Sequence, residues 1–276
     1  MQNITSKQNQ VIKHITKLHD KKYRNAYNEI IVEGVNTIND FINYLNIKFA
    51  VCVAEKLSEL ESILNNQNVE IYTVNSDLMK YISLTETPYG ILLVSDRPKE
   101  EYKDCEKNGL ILDSVSDPGN VGTILRSAKA FGFENIYLYN CVDVFSPKVI
   151  RASLGSIFAL KVSNIDINKI SEMSKKYNLY GLDMGNKNIK EIAENGDIIF
   201  VLGNEGRGLS SEVREYLSKY VSIPTREAIE SLNVAVAASI AMYTVEANKW
   251  VDIASGITLH KGKVKVMQQE QTSLQR

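Results

Sequence analysis

Short apolar runs and longer amphipathic ones alternate along the chain. "EIIVEG", "FAVCVAE", "VEIYTV" and "GILLVSD" are too short for helices and are rich in β-branched residues, so they read as strands. Between them, "KLSELESILNN" and "SDLMKYISL" place apolar residues at helical spacing, and "VIKHITKLHDKKYR" reads as one basic helix. The pattern predicts a compact α/β unit over residues 1–97. The tract "DRPKEEYKDCEKN" is charged and holds a proline, and residues 98–108 within it read as a linker. A second α/β unit follows over residues 109–250, with strands predicted at "LILDSV", "NIYLYN", "YGLDM" and "DIIFVLG". The last of these is almost wholly apolar, as a central parallel strand should be. Helices fall between the strands, so the expected sheet is mostly parallel with helices on both faces. The apolar run "LNVAVAASIAMYTVEANKW" closes the unit as a helix. Residues 251–276 lose periodicity and read as a tail, in which "KGKVKV" is a candidate for a short basic strand or an RNA contact.

Composition narrows this picture only in places. The chain has 276 residues, 44% of them hydrophobic, which excludes wholesale disorder. The formal net charge is −1, so no global field recruits a polyanion, and any nucleic-acid surface must be a local patch. The N-terminus offers one: Lys7, Lys13, Lys17, Lys21, Lys22 and Arg24 face only Asp20 and Glu29. A solvated helix face explains the same residues equally well. The three cysteines are scattered with no Cys/His pairing, so no zinc site is expected and a reducing cytoplasm fits. No apolar run reaches the roughly 20 residues of a membrane span. The polar start argues against a signal peptide.

In open α/β sheets, ligands bind beyond the carboxyl ends of the strands. Three segments follow strands there: "SDPGNVGTILRSA", "NEGRGLS" and, after "YVSIP", "TREAIESLNVAVA". Each is rich in small and polar groups and each opens a helix. Glycines admit close backbone approach, and helix starts present free N–H donors. Singly each segment is more simply a turn or a cap; three at one sheet edge point to a site. GxGxxG, P-loop, GxSxG and HExxH patterns are all missing. The only histidines, His14, His19 and His260, lie outside the second unit's core. Chemistry there must run without a histidine base or a metal cluster, which suits transfer of an already activated group.

"DPGNVGTILRSAKAFG", "FVLGNEGRGLS" and "IPTREAIESLNVAVAASIAMY", in that order, resemble the three motifs of the SpoU/TrmH class of RNA ribose 2′-O-methyltransferases of the SPOUT superfamily. "SPKVIRASLGSIFAL" resembles the segment between the first two, and residues 1–97 are similar to the substrate-binding domain of bacterial rRNA members. The resemblance implies an N-terminal small α/β sandwich that binds RNA and a C-terminal methyltransferase domain with a deep trefoil knot, a feature plain topology rules would never propose. It implies S-adenosyl-L-methionine as cofactor, no metal, and a homodimer with its active site at the subunit interface.

Carried over by position, Asn120, Arg126, Glu205, Ser231 and Asn233 are the expected catalytic residues. Leu202, Gly203, Ile223, Pro224, Leu232 and Ser153 are expected at the cofactor. Lys13, Lys17, Lys21, Lys22 and Arg24 are the expected RNA contacts, and Tyr23, Tyr27 and Tyr89 are candidates for stacking or for packing. The sequence departs from the family pattern at Thr225 and Arg226, where Met and Gly are common, and at Tyr89, where Gln is common. The expected reaction is methyl transfer to a ribose 2′-hydroxyl, foremost in large-subunit rRNA and often at a guanosine in such proteins. A tRNA methyltransferase and a non-catalytic RNA-binding assembly protein are the alternatives. The proton acceptor stays open between the arginine itself and a phosphate or water beside it.

Overall fold

The computed structural model describes residues 2–65, 67–105, 107–192, 198–226 and 231–254. The first sheet is built from β1 (Gln2–Ile4), β2 (Glu29–Glu33), β3 (Ile47–Val53), β4 (Glu70–Val74) and β5 (Ile91–Asp96), in the order β1-β4-β3-β5-β2. Strands β1, β4 and β3 run parallel, and β5 is antiparallel to both β3 and β2. The helices are α1 (Gln10–Lys17), α2 (Lys21–Tyr27), α3 (Val35–Phe41), α4 (Leu57–Leu64) and α5 (Ser76–Ile82). The expected single basic helix is two. The Asp20 side chain accepts the Lys22 N–H at 2.8 Å and caps a new helix, so the chain breaks at His19–Asp20. The first strand and α3 were not legible in the pattern; β1 is three mostly exposed residues with only Ile4 buried.

The second sheet is parallel throughout. It holds β6 (Gly109–Asp113), β7 (Asn135–Tyr139), β8 (Lys161–Asn164), β9 (Asn178–Asn188), β10 (Ile198–Leu202) and β11 (Lys219–Ser222), in the order β11-β9-β10-β6-β7-β8. The apolar strand β10 is buried along its whole length between β9 and β6. Helices α6 (Pro118–Ala130), α7 (Pro147–Ala152) and α10 (Val234–Ala254) cover one face, and α8 (Ile167–Ser174) with α9 (Ser211–Arg214) covers the other. The closing helix thus runs to Ala254, into the stretch read as a tail. The remainder of that tail, "KGKVKV" included, lies outside the described residues. None of the described helices is long and apolar enough to cross a membrane.

The two sheets share one apolar core. Ile30, Val32 and Ile38 of the first unit belong to the same buried cluster as Val149, Ile150 and Phe158 of the second, and the Phe41 and Phe158 rings lie 6.4 Å apart. The tract between the sheets is strapped down rather than loose. Tyr102 packs 5.6 Å from Tyr137, Cys105 is buried, and the Glu101 carbonyl accepts from Ser163 at 2.8 Å.

Arg24 corrects the sequence reading. The charge pattern groups it with the lysines as an RNA contact, but its side chain is 4% exposed. Its guanidinium donates to Asp143 Oδ2 through Nε at 3.1 Å and Nη2 at 2.7 Å, and through Nη1 to the Leu18 and His19 carbonyls. Charge pattern alone cannot separate a phosphate-facing arginine from one paired with a carboxylate more than a hundred residues away.

Candidate active site

"DPGN" is not a free turn but the capped first turn of α6. The Asp117 carboxylate accepts the Asn120 N–H at 2.7 Å, and Pro118 takes the first helical position, where no N–H is needed. This fixes Asn120 on the first turn at the carboxyl end of β6. The second segment folds as a hairpin after β10. Asn204 and Gly208 exchange both backbone hydrogen bonds at 2.9 Å, and Asn204 Oδ1 accepts from the Gly206 and Arg207 N–H groups. Buried Asp113, at the end of β6, accepts the Ser210 N–H at 2.6 Å and ties the hairpin's exit to the first segment. In the third segment Asn233 caps α10: its Oδ1 accepts from the N–H groups of Ala235 at 2.9 Å and Val236 at 3.2 Å.

These three segments meet in one polar chain. With its oxygen committed to the cap, Asn233 must turn its amide NH₂ outward, and it donates to Asn120 Oδ1 at 2.9 Å. Asn120 must then aim its own NH₂ at Glu205 Oε1, at 3.0 Å. Glu205 also accepts from the Asp117 N–H at 3.3 Å and from Asn204 at 3.2 Å. Burial opposes charge on Glu205, but the Asn120 amide and the backbone donors around it outweigh that cost, and the carboxyl lies below its ordinary range. At neutral pH it is an ionised acceptor and not a proton donor.

Beside this chain opens a cleft of about 640 Å³, within the roughly 300–1,000 Å³ of small-molecule sites. Of the residues expected at the cofactor, Leu202, Gly203, Ile223 and Leu232 line it, as do Glu205, Ser231 and Asn233. Pro224 is not part of the lining, although its neighbours Ile223 and Thr225 are. Ser153 is a correction. It is fully buried, and its hydroxyl donates to the Ile150 carbonyl at 2.9 Å. It sits where α6 and α7 nearly touch: a Cβ on Gly122 would lie 2.3 Å from Ala152 Cβ and 2.8 Å from the Ser153 nitrogen. Ser153 is therefore packing. Arg126 stands apart as well, exposed on α6 and absent from the cleft lining.

Sequence reasoning missed the wall that β9 supplies. Leu182, Asp183 and Met184 line the cleft, and Arg214 donates to Asp183 Oδ2 at 2.8 Å. The signal was present in "YGLDM", a strand ending in a carboxylate at the ligand-binding edge of the sheet. Gly203 is indispensable for a steric reason. A Cβ there would lie 2.3 Å from the backbone of Gly208 and Leu209, so only glycine lets the hairpin fold back on the end of β10. Gly203→Ala is expected to push the hairpin into the cleft and weaken ligand binding by roughly tenfold or more. Equilibrium dialysis against the wild type measures this.

The cleft's chemistry suits a nucleoside with a zwitterionic tail. Leu182, Leu202, Ile223 and Leu232 offer apolar walls for a purine, while Thr225, Ser231 and the Asp183–Arg214 pair offer polar groups. Among the described residues, no group of three or more His, Cys, Asp and Glu side chains is placed to hold a metal ion.

Comparison with known proteins agrees with this layout. Residues 107–243 match the SpoU rRNA Methylase family, and residues 9–93 match the MRM3-like substrate binding domain. An uncharacterised tRNA/rRNA methyltransferase of Synechocystis is 31% identical over 92% of this chain and 96% of its own length. The 23S rRNA (guanosine(2553)-2′-O)-methyltransferase RlmP of Bacillus subtilis is 31% identical over 88% of this chain and 98% of its own. The AdoMet-bound rRNA methyltransferase of Sinorhizobium meliloti superposes with a TM-score of 0.79 at 23% identity, covering 89% of this chain and 97% of that one, and so shares the fold.

Proposed function

Because the chain belongs to the SpoU rRNA methylase family, we propose that it transfers a methyl group from S-adenosyl-L-methionine to a ribose 2′-hydroxyl of large-subunit rRNA, at a guanosine. The observation that carries this reading is the convergence of Asn120, Glu205 and Asn233, one from each motif segment, at the mouth of a nucleoside-sized cleft. The bound donor supplies an electrophilic methyl on a sulfonium, so the protein's task is chiefly to position the acceptor and stabilise the alkoxide. Leu202, Gly203, Ile223 and Leu232 hold the donor, largely through backbone groups. Asn120, fixed at both ends by hydrogen bonds, orients the ribose, and ionised Glu205 locks Asn120 rather than acting as a base. Arg126 is permanently charged and so acts on the phosphate beside the target ribose, which lowers the alkoxide's energy; a phosphate oxygen or water takes the proton.

The same reading includes a homodimer and a trefoil knot. Exposed Val236, Ile240 and Tyr243 form an apolar stripe on α10. Beside it, Ser127 of α6 meets Ser239 at 2.8 Å, which places neighbouring Arg126 near the stripe. A second copy packed on that stripe brings Arg126 to the partner's cleft, which accounts for its absence from its own. The reading is tested in cells lacking the protein by mapping ribose methylation through reverse-transcription stops. Loss of one mark in large-subunit rRNA is expected. An intact rRNA pattern with a mark lost from tRNA would move the substrate to tRNA, and no lost mark at all would contradict the reading.

A further inference from the structure

We propose that a second cleft, between α1 and Tyr27, is a docking site for one unpaired nucleotide of the RNA substrate, with its base against the rings and its phosphates on Lys13 and Lys17. The proposal rests on the RNA-methyltransferase reading and names where the N-terminal unit grips its substrate. The cleft measures about 460 Å³.

Its construction matches a nucleotide part by part. Val11 and Phe49, both half-buried, make an apolar floor. One wall is aromatic. The His14 ring lies 4.9 Å from the Tyr27 ring, tilted by 32°, and Tyr27 lies 6.0 Å from Tyr23 at 26°, so the three rings form one aromatic cluster. Tyr27 is 38% exposed, and its free surface is the kind of platform on which an unpaired base stacks. Gln10 lines the cleft, and its amide can both donate and accept, as a base edge requires. Lys13 and Lys17 stand one helical turn apart on the rim.

The electrostatics also favour an anion. Two acidic residues lie near these lysines in sequence, and both are engaged, Asp20 at the surface and Glu29 below it. Asp20 caps α2, and Glu29 is only 13% exposed, with its Oε2 2.5 Å from His14 Nε2 and its Oε1 3.9 Å from Lys48. Among the described residues, Lys13, Lys17, Lys21 and Lys22 form no ion pair, so their charge faces outward. Lys17 and Lys22 lie 5.6 and 5.7 Å from the Tyr23 ring, which extends the same cation-and-ring surface. The apolar floor is recessed beneath a charged rim, which disfavours a membrane or an apolar protein face. A duplex would hide the base faces that this wall needs. Tyr27 shares α2 with Arg24, whose pairing with Asp143 anchors that helix to the methyltransferase unit. A base held here is therefore held at a fixed distance from the active-site cleft.

The test is fluorescence anisotropy of the full-length protein with three labelled probes: a single-stranded oligo(A), a duplex of equal length, and unmodified large-subunit rRNA. Tyr27→Ala is expected to weaken oligo(A) and rRNA binding about tenfold while leaving the salt slope and the duplex affinity unchanged. Tyr27→Phe is expected to restore binding. Lys13→Ala with Lys17→Ala is expected to lower the single-strand salt slope by about 1.4. Tyr44→Ala, which removes a more exposed tyrosine outside the cleft, is expected to change nothing. Wild-type affinity in Tyr27→Ala, or an equal loss on duplex, would overturn the site and leave the enzyme reading standing. A wild-type protein that binds none of the probes would overturn both.

Discussion

An Arg126→Ala variant is expected to fold and to bind S-adenosyl-L-methionine like the wild type, yet to transfer methyl groups slower by a factor on the order of 10³. The guanidinium is exposed and makes no hydrogen bond or ion pair with the described residues, so its removal should cost less than about 0.5 kcal/mol of stability. It also lines no part of its own cleft, so donor affinity should not move. The loss should appear in turnover, where a fixed positive charge beside a developing alkoxide counts most. Mixing subunits separates two ways of losing it. In a dimer formed from Arg126→Ala and Asn120→Ala subunits, one site regains both groups if Arg126 serves the partner's cleft. The statistical mixture should then recover about a quarter of wild-type activity, given a symmetric two-fold assembly. If Arg126 serves its own cleft, every site stays defective and the mixture remains inactive.

Arg24→Ala is expected to lower stability by about 2–4 kcal/mol, because it removes both guanidinium hydrogen bonds to buried Asp143 and leaves that carboxylate with only the Arg97 guanidinium, 4.0 Å away, and the Phe145 N–H. It also strands the Leu18 and His19 carbonyls that Nη1 satisfies. For a chain of this size the melting temperature should fall on the order of 10 °C. The double variant Arg24→Met with Asp143→Asn removes both charges and keeps the acceptor for the Phe145 N–H, so it should melt above the single variant. Equal melting of the Arg24→Ala variant and the wild type in a thermal scan would show that the pair is solvated in solution.

How much of this was legible beforehand differs by element. Strand β10 announced itself, since seven residues of "DIIFVLG" carry one charge and can only run through a core. Asn120, Glu205 and Asn233 came from the resemblance to the three motifs, and only the local frame of the first is written in nearby letters: Asp117 and Pro118 define the turn that carries Asn120. What eluded the sequence was non-local. Arg24 looks like its lysine neighbours until Asp143 comes round from the other unit. Ser153 occupies a motif position, but its role follows from the close approach of Gly122 to Ala152. Asp183 lines the cleft because β11 pairs with β9 across an irregular register, which periodicity does not encode. The basic helix split at Asp20 shows the opposite case, a local cap that was present in the letters and overlooked because the apolar spacing continued through it.

The most direct measurement is methyl transfer in vitro from labelled S-adenosyl-L-methionine to unmodified large-subunit rRNA, followed by alkaline hydrolysis. A methylated 2′-oxygen blocks cleavage at its own phosphate, so the account predicts label in alkali-resistant dinucleotides, with none when Asn120→Ala protein is used. Label released entirely as mononucleotides would mean that a base is the acceptor, and label that persists undiminished with Asn120→Ala would mean that the chemistry lies outside the cluster described above.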